Sequence, residues 1–182
     1  GSFNVWRNYV TLFFQRVRQS ANGTSGYVGA FGGIDPGTAV LYLGHHLIAA
    51  HYVGAADESL WRDGLLANLA RVGDGSTPYP VTALAVALWA LATTGRLDET
   101  PIDRTGGGDA YWQGLVTADL PALLRSHQVP DGQEQAGSFY AHFSHAGDRP
   151  GPLESGYTED LAFAVLALAA LRREDRTVEA AI

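Results

Sequence analysis

The sequence predicts an all-α fold, a toroid-like array of about three helical hairpins in which apolar inner helices pack side by side behind amphipathic outer ones. Three observations carry this. Apolar residues recur at spacings of three and four along several stretches, the period of one helix face. Two runs, Ala83 to Ala92 and Leu161 to Leu171, are apolar all round, so other helices must enclose them. Glycine, proline and aspartate punctuate the chain between these stretches as helix starts and stops do. At 182 residues the expectation is one domain over 1–182, large enough to bury a substantial core.

The elements follow in order. From Asn4 to about Ser20, Val5, Tyr9, Leu12, Phe13 and Val17 make the apolar face of an amphipathic helix. The stretch Asn22 to Gly33 is glycine-rich and reads as a loop carrying Tyr27 and Phe31. Asp35-Pro36 is a helix start, the aspartate as cap and the proline in the first turn, and the helix runs to about Val53 with Gly54 as its stop. Asp57 begins an outer helix with Leu60, Trp61, Leu65, Leu69 and Val72 on one face. After a loop from Gly73 to Pro78, Pro80 opens the Val81 to Ala92 helix, which stops at Gly95 and has no polar face for Trp89 to occupy. Arg96 to Asp109 is a loop with Gly106-Gly107-Gly108. A helix from about Ala110 to His127 follows, bent or divided by Pro121. A long inserted loop spans 128–154, and a last apolar helix, capped by Ser155 or Thr158, runs from Leu161 to Leu171 with Arg172-Arg173 at its end.

Composition removes whole classes of chemistry. All basic residues are arginine, so Schiff-base chemistry, pyridoxal phosphate attachment and the phosphate-binding G-x-x-x-x-G-K-[ST] loop are excluded. Absent cysteine removes thiolate nucleophiles, thiolate zinc ligands and disulfides. The formal charge of −7 and the lack of a basic cluster argue against nucleic acid as a partner. Neither apolar run reaches the ~20 residues of a membrane span. Missing lysine with abundant alanine reads as the codon bias of a GC-rich bacterial genome. Gly1-Ser2 reads as a tag remnant, which leaves localisation open between cytoplasm and export.

The alternation of helix types, with Thr38-Ala39-Val40-Leu41, Thr82-Ala83-Leu84-Ala85 and Thr158-Glu159-Asp160-Leu161 each opening an apolar helix, suggests internal repetition. Gln133-Glu134-Gln135-Ala136-Gly137-Ser138-Phe139 resembles the Q-x-x-x-G-x-W repeat of the α/α toroid superfamily of terpenoid cyclases and protein prenyltransferases, with phenylalanine in place of tryptophan. Gln128-Val129-Pro130-Asp131-Gly132 resembles the related Q-x-x-D-G turn, and Gly29-Ala30-Phe31-Gly32-Gly33 resembles the turn before an inner helix. The resemblance implies a glutamine amide satisfying helix-end carbonyls beneath an aromatic ring. It does not bring the superfamily's activities: the Asp-x-Asp-Asp acid of the cyclases and the cysteine of the prenyltransferase zinc site are both absent. Three helix pairs are also fewer than the superfamily uses to close its ring, so an open arc is expected, covered by a second copy or by flanking domains of a longer protein.

Two functional readings follow. The leading one is a toroid-like binding or scaffold domain whose central cleft is lined by the inner-helix residues Tyr42, Trp89 and Phe163, taking a small-molecule or carbohydrate ligand and no cofactor. The other is a catalytic domain acting on carbohydrate, of polysaccharide lyase or hydrolase type, with Glu159, Asp160, His142 and Tyr157 as catalytic residues; a part of a terpene-cyclase-like enzyme is a third reading. Whether the chain is an enzyme stays open at this point. Glu159 and Asp160 are equally well explained as charges favourable at a helix N-terminus. His142 and His145, spaced as His-x-x-His, could place two metal ligands in a turn, and equally read as solvated loop residues. His45 and His46 are adjacent, point about 100° apart, and cannot both face one cleft.

Overall fold

The computed structural model describes residues 4–5, 7–12, 35–73, 80–140 and 158–179, with the backbone alone for Pro80, 158–160 and 173–179. Helix is the dominant regular structure, and among the described residues there is no strand, only two isolated bridges, Pro101 to Val116 and Gln128 to Phe139. No helix among them is long and apolar enough to cross a membrane.

Helix α1 (Pro36–Val53) begins as its sequence dictates. Asp35 Oδ2 accepts the Thr38 backbone N–H at 2.9 Å and its hydroxyl at 3.2 Å, while Pro36 occupies the first turn, where no N–H is needed. It ends on Gly54 at φ 66°, and the N–H of Ala55 reaches back to Ala50 O at 2.9 Å. Helix α2 (Glu58–Leu69) buries Trp61, Leu65, Leu66 and Leu69 against α1. Leu60 lies outside that face, half in solvent, because the buried stripe is centred on Trp61 and Leu65 one residue further round the helix. Helix α3 (Pro80–Thr93) is the central element: α1 and α5 flank it, and it also touches α2 and α4. Its residues from Val81 to Ala92 are buried except Thr82 and Trp89. Trp89 is thus half-buried rather than enclosed; the sequence pattern shows what a helix can bury, not how many neighbours it has.

Close approach of α1 and α3 needs a glycine. A Cβ on Gly44 would stand 2.5 Å from Val86 Cγ1 and 3.4 Å from Val86 O.

The expected helix from Ala110 to His127 is absent. The chain instead makes a 3-10 turn (Ala110–Trp112), leaves helical geometry at Gln113 and Gly114, makes a second 3-10 turn (Thr117–Asp119) and only then forms α4 (Leu120–Ser126). Polar side chains compete with the helix for its backbone here. Asp109 takes the Tyr111 N–H at 2.9 Å, and Asp119 Oδ2 takes the Val116 N–H at 2.9 Å. Gly114 at φ 77° completes the break, so Pro121 starts a helix instead of bending one. Trp112 is fully buried, its indole N–H donating to Val72 O at 2.7 Å.

The first part of the long loop is ordered. Val129 N–H donates to Ser138 O at 2.8 Å, Gly137 N–H to Val129 O at 3.0 Å and Tyr140 N–H to His127 O at 2.9 Å, a turn that folds Phe139 into the core. Helix α5 (Thr158–Glu179) runs well past the expected end at Arg172-Arg173. Of its apolar run, Ala164 and Ala167 are buried, whereas Leu161, Val165 and Leu166 are 43%, 54% and 41% exposed. The expected N-terminal helix is helical over residues 4–5 and 7–12, where Val5, Tyr9 and Leu12 of the expected apolar face are exposed and Val10 packs on the core. Phe13, Val17 and the Asn22 to Gly33 loop lie outside the described residues.

Candidate functional site

Helices α1, α3 and α5 lie side by side, and one aromatic cluster spans all three. The His45 ring meets Trp89 edge-on at 5.4 Å between centroids and 82°, and Phe163 at 5.8 Å and 84°; Trp89 and Phe163 are 6.2 Å apart. Tyr42 stands one turn before His45 on α1, on the same helix face, and is exposed. Leu166 follows Phe163 by one turn on α5 and is also exposed. Two of the three expected cleft residues, Trp89 and Phe163, are therefore together, and Tyr42 shares a helix face with the histidine that joins them. That histidine was not legible in the sequence as a member of the cluster, since only contact between helices selects it over His46.

His45 and His46 diverge as their adjacency requires. His46 stacks on Trp61 of α2, ring centroids 5.2 Å apart and 10° from parallel, with its Nδ1 at 2.6 Å from Tyr42 O. Burial holds its pKa below the ordinary value and the neighbouring His45 adds to this, against the bond to the Tyr42 carbonyl. His45 is exposed, with Nδ1 2.7 Å from Leu41 O. A carbonyl oxygen only accepts, so Nδ1 carries the hydrogen of that bond. Further along α1, His51 pairs with Glu58 at 3.3 Å.

A second region lies behind the helix layer. The Asp103 carboxylate is wrapped by its own loop: Oδ1 accepts the N–H groups of Thr105 and Gly106 at 3.1 and 2.9 Å, and Oδ2 that of Gly108 at 3.0 Å. These bonds, Gly108 first, hold the carboxyl below its usual range. Gly108 packs so closely on α2 that a Cβ would meet Ala70 O at 2.5 Å. Between this loop and α2 is a groove of about 570 Å³, bordered by Arg71 and by Arg104, which is paired with Asp63 at 2.8 Å. Asp103 thus shapes the loop from within, and the loop is tied to α2 and its end by the Arg104–Asp63 pair and by the Asp109 N–H on Ala70 O at 2.7 Å.

Sequence reasoning also missed Tyr111 and His127. Tyr111 Oη lies 3.1 Å from His127 Nε2, and His127 is buried at the end of α4. Burial pushes His127 down to about 4 and Tyr111 up to about 12, leaving a neutral pair between those values. The tyrosine and histidine stand at the two ends of the stretch expected to form one helix bent or divided by Pro121, an expectation that gives no reason for them to meet.

The Q-x-x-x-G-x-W-like turn works differently from its expectation. Gln128 Nε2 donates to Gly137 O at 3.1 Å, and Gln133 Oε1 accepts the Tyr140 hydroxyl at 3.2 Å; both bonds stay within the turn. His142, His145 and Tyr157 lie outside the described residues. Glu159 and Asp160 are in the first turn of α5 by backbone only. Among the described residues no group of three or more histidines and carboxylates could hold a metal ion. Comparisons with protein-family models, with curated proteins and with solved structures return no match to this chain.

Proposed function

We propose that this chain is a toroid-like helical binding module whose ligand face is formed where α1, α3 and α5 lie side by side. The observation that carries the reading is the cluster of His45, Trp89 and Phe163, one ring from each helix. Aromatic rings left partly in solvent across three adjoining helices supply apolar contact area at little entropic cost. The toroid-like arrangement is supported by α2 packing behind α1 while α3 takes a flanking helix on either side.

Toluene is a suitable probe, because it tests apolar contact alone. Chemical shifts of the Trp89 indole and the Phe163 ring, followed up to the solubility of toluene, are expected to move saturably at millimolar concentration. Trp89→Ala and Phe163→Ala are each expected to weaken the effect at least about ten-fold, as loss of a central aromatic anchor does. Shifts spread over the whole molecule, or none at these rings, would refute the binding face.

A further inference from the structure

We infer that the groove between the Asp103 loop and α2 is a binding site for a small monocarboxylate with a compact apolar body, its carboxylate held by Arg71. The groove shares no residue with the aromatic cluster and does not depend on it. One wall is the face of α2 and its last turn, where Asp63, Ala67 and Arg71 follow one another at intervals of one helical turn. The opposite wall is fastened in place. Asp109 N–H donates to Ala70 O at 2.7 Å, Arg104 donates to Asp63 at 2.8 Å, and Asp103 gathers the N–H groups of Thr105, Gly106 and Gly108. The space between the walls, about 570 Å³, falls within the roughly 300–1,000 Å³ of small-molecule sites.

Charge selects the ligand. Arg104 and Asp63 pair with each other, and the Asp103 carboxylate is met by backbone N–H groups of its own loop. Arg71 borders the groove, is exposed, and has no ion-pair partner among the described residues. Its guanidinium keeps its charge at any ordinary pH and fits a carboxylate with two parallel N–H bonds. A second negative group on the ligand would meet Asp63 and Asp103, which also border the groove, so a monoanion is favoured over a phosphate dianion. Ala67, Ala70 and Ile102 supply apolar contact for the rest of the molecule.

Benzoate is the probe, titrated at low ionic strength while the amide resonances of Thr105, Gly107 and Gly108 are followed; benzamide is its uncharged counterpart of nearly the same shape. Saturable shifts are expected at these amides at millimolar benzoate, with benzamide about ten-fold weaker for want of a charge-assisted bond. Arg71→Gln is expected to bring benzoate down to the level of benzamide with the melting temperature unchanged, since Arg71 is exposed. Ala67→Glu places a carboxylate one turn before Arg71, where it competes for the guanidinium, and is expected to weaken benzoate about ten-fold. Ala67→Gln, of the same size and uncharged, is expected to stay within about two-fold of the unaltered protein. Benzamide binding as tightly as benzoate, or a preference for benzoate that persists in Arg71→Gln, would overturn the role of Arg71. Inorganic phosphate displacing benzoate at equal concentration would overturn the monocarboxylate class. Absence of saturable shifts at the loop amides would overturn the site itself and leave the aromatic binding face untouched.

Discussion

Helices α3 and α5 are both built on unbroken apolar runs, and they meet different fates. In α3, Trp89 alone of the run Ala83 to Ala92 escapes burial. In α5, Ala164 and Ala167 face α3 while Leu161, Val165 and Leu166 stand in solvent. The difference is position: α3 has helices on both flanks and behind it, whereas among the described elements α5 packs chiefly on α3. An apolar run thus records that a helix can be buried; the number of neighbours decides how much of it is. The aromatic cluster sits where the two regimes meet, anchored by α3 and open toward α5.

Substitutions at matched positions break or sharpen this comparison. The largest effect is expected from Leu88→Ala, which removes a fully buried side chain from the centre of α3 and should cost about 3–4 kcal/mol in denaturant unfolding. A cost below about 1 kcal/mol would mean that α3 is not the centre of the core.

Next comes acidification, which reaches the enclosed side of the molecule through His127. Its folded pKa, about 4, lies below the unfolded value near 6.5, so the unfolded chain takes up the proton first. The stability of the neutral, buried ring is complete above about pH 7, and about 2 kcal/mol of it should be gone by about pH 5, with the rest lost as pH falls through the folded pKa. His127→Gln should flatten the unfolding free energy over that window. An unchanged slope would place the titration elsewhere.

Gly44→Ala should be milder, about 1–2 kcal/mol destabilising, because the new methyl meets the stiff Val86 side chain while alanine is otherwise the better helix former. A gain in stability would show that α1 and α3 can part slightly at no cost. The smallest effect is expected at Val165→Ala on the open side of α5, within about 0.5 kcal/mol. A loss near that of Leu88→Ala would mean that this side is covered in solution, and light scattering would then show whether a second copy covers it. The exposed Val5, Tyr9 and Leu12 of the N-terminal segment offer a further apolar surface for such an assembly.

Much of the framework was readable from residues alone because it depends on local chemistry. Asp35, Pro36 and Gly54 bound α1 through bonds within a few residues of themselves, and the divergence of His45 and His46 follows from helical pitch. The stretch from Ala110 to His127 departs from the expected helix for a related reason: its apolar spacing fits a helix, but Asp109, Gly114 and Asp119 divert the backbone into turns. Of the expected ligand residues, Trp89 and Phe163 were identifiable as large aromatics on apolar helices, while the histidine between them was not.

By itself, the sequence determined the all-α class, the bounds of α1 and the start of α3, and the chemistry the chain cannot perform for want of lysine and cysteine. Tertiary structure alone decided which side of α5 meets solvent, that Tyr111 reaches His127, and that His45 rather than His46 joins Trp89 and Phe163. The physical reason is range: caps and helical pitch act within a few residues along the chain, whereas burial and ring contacts depend on which distant helix arrives alongside.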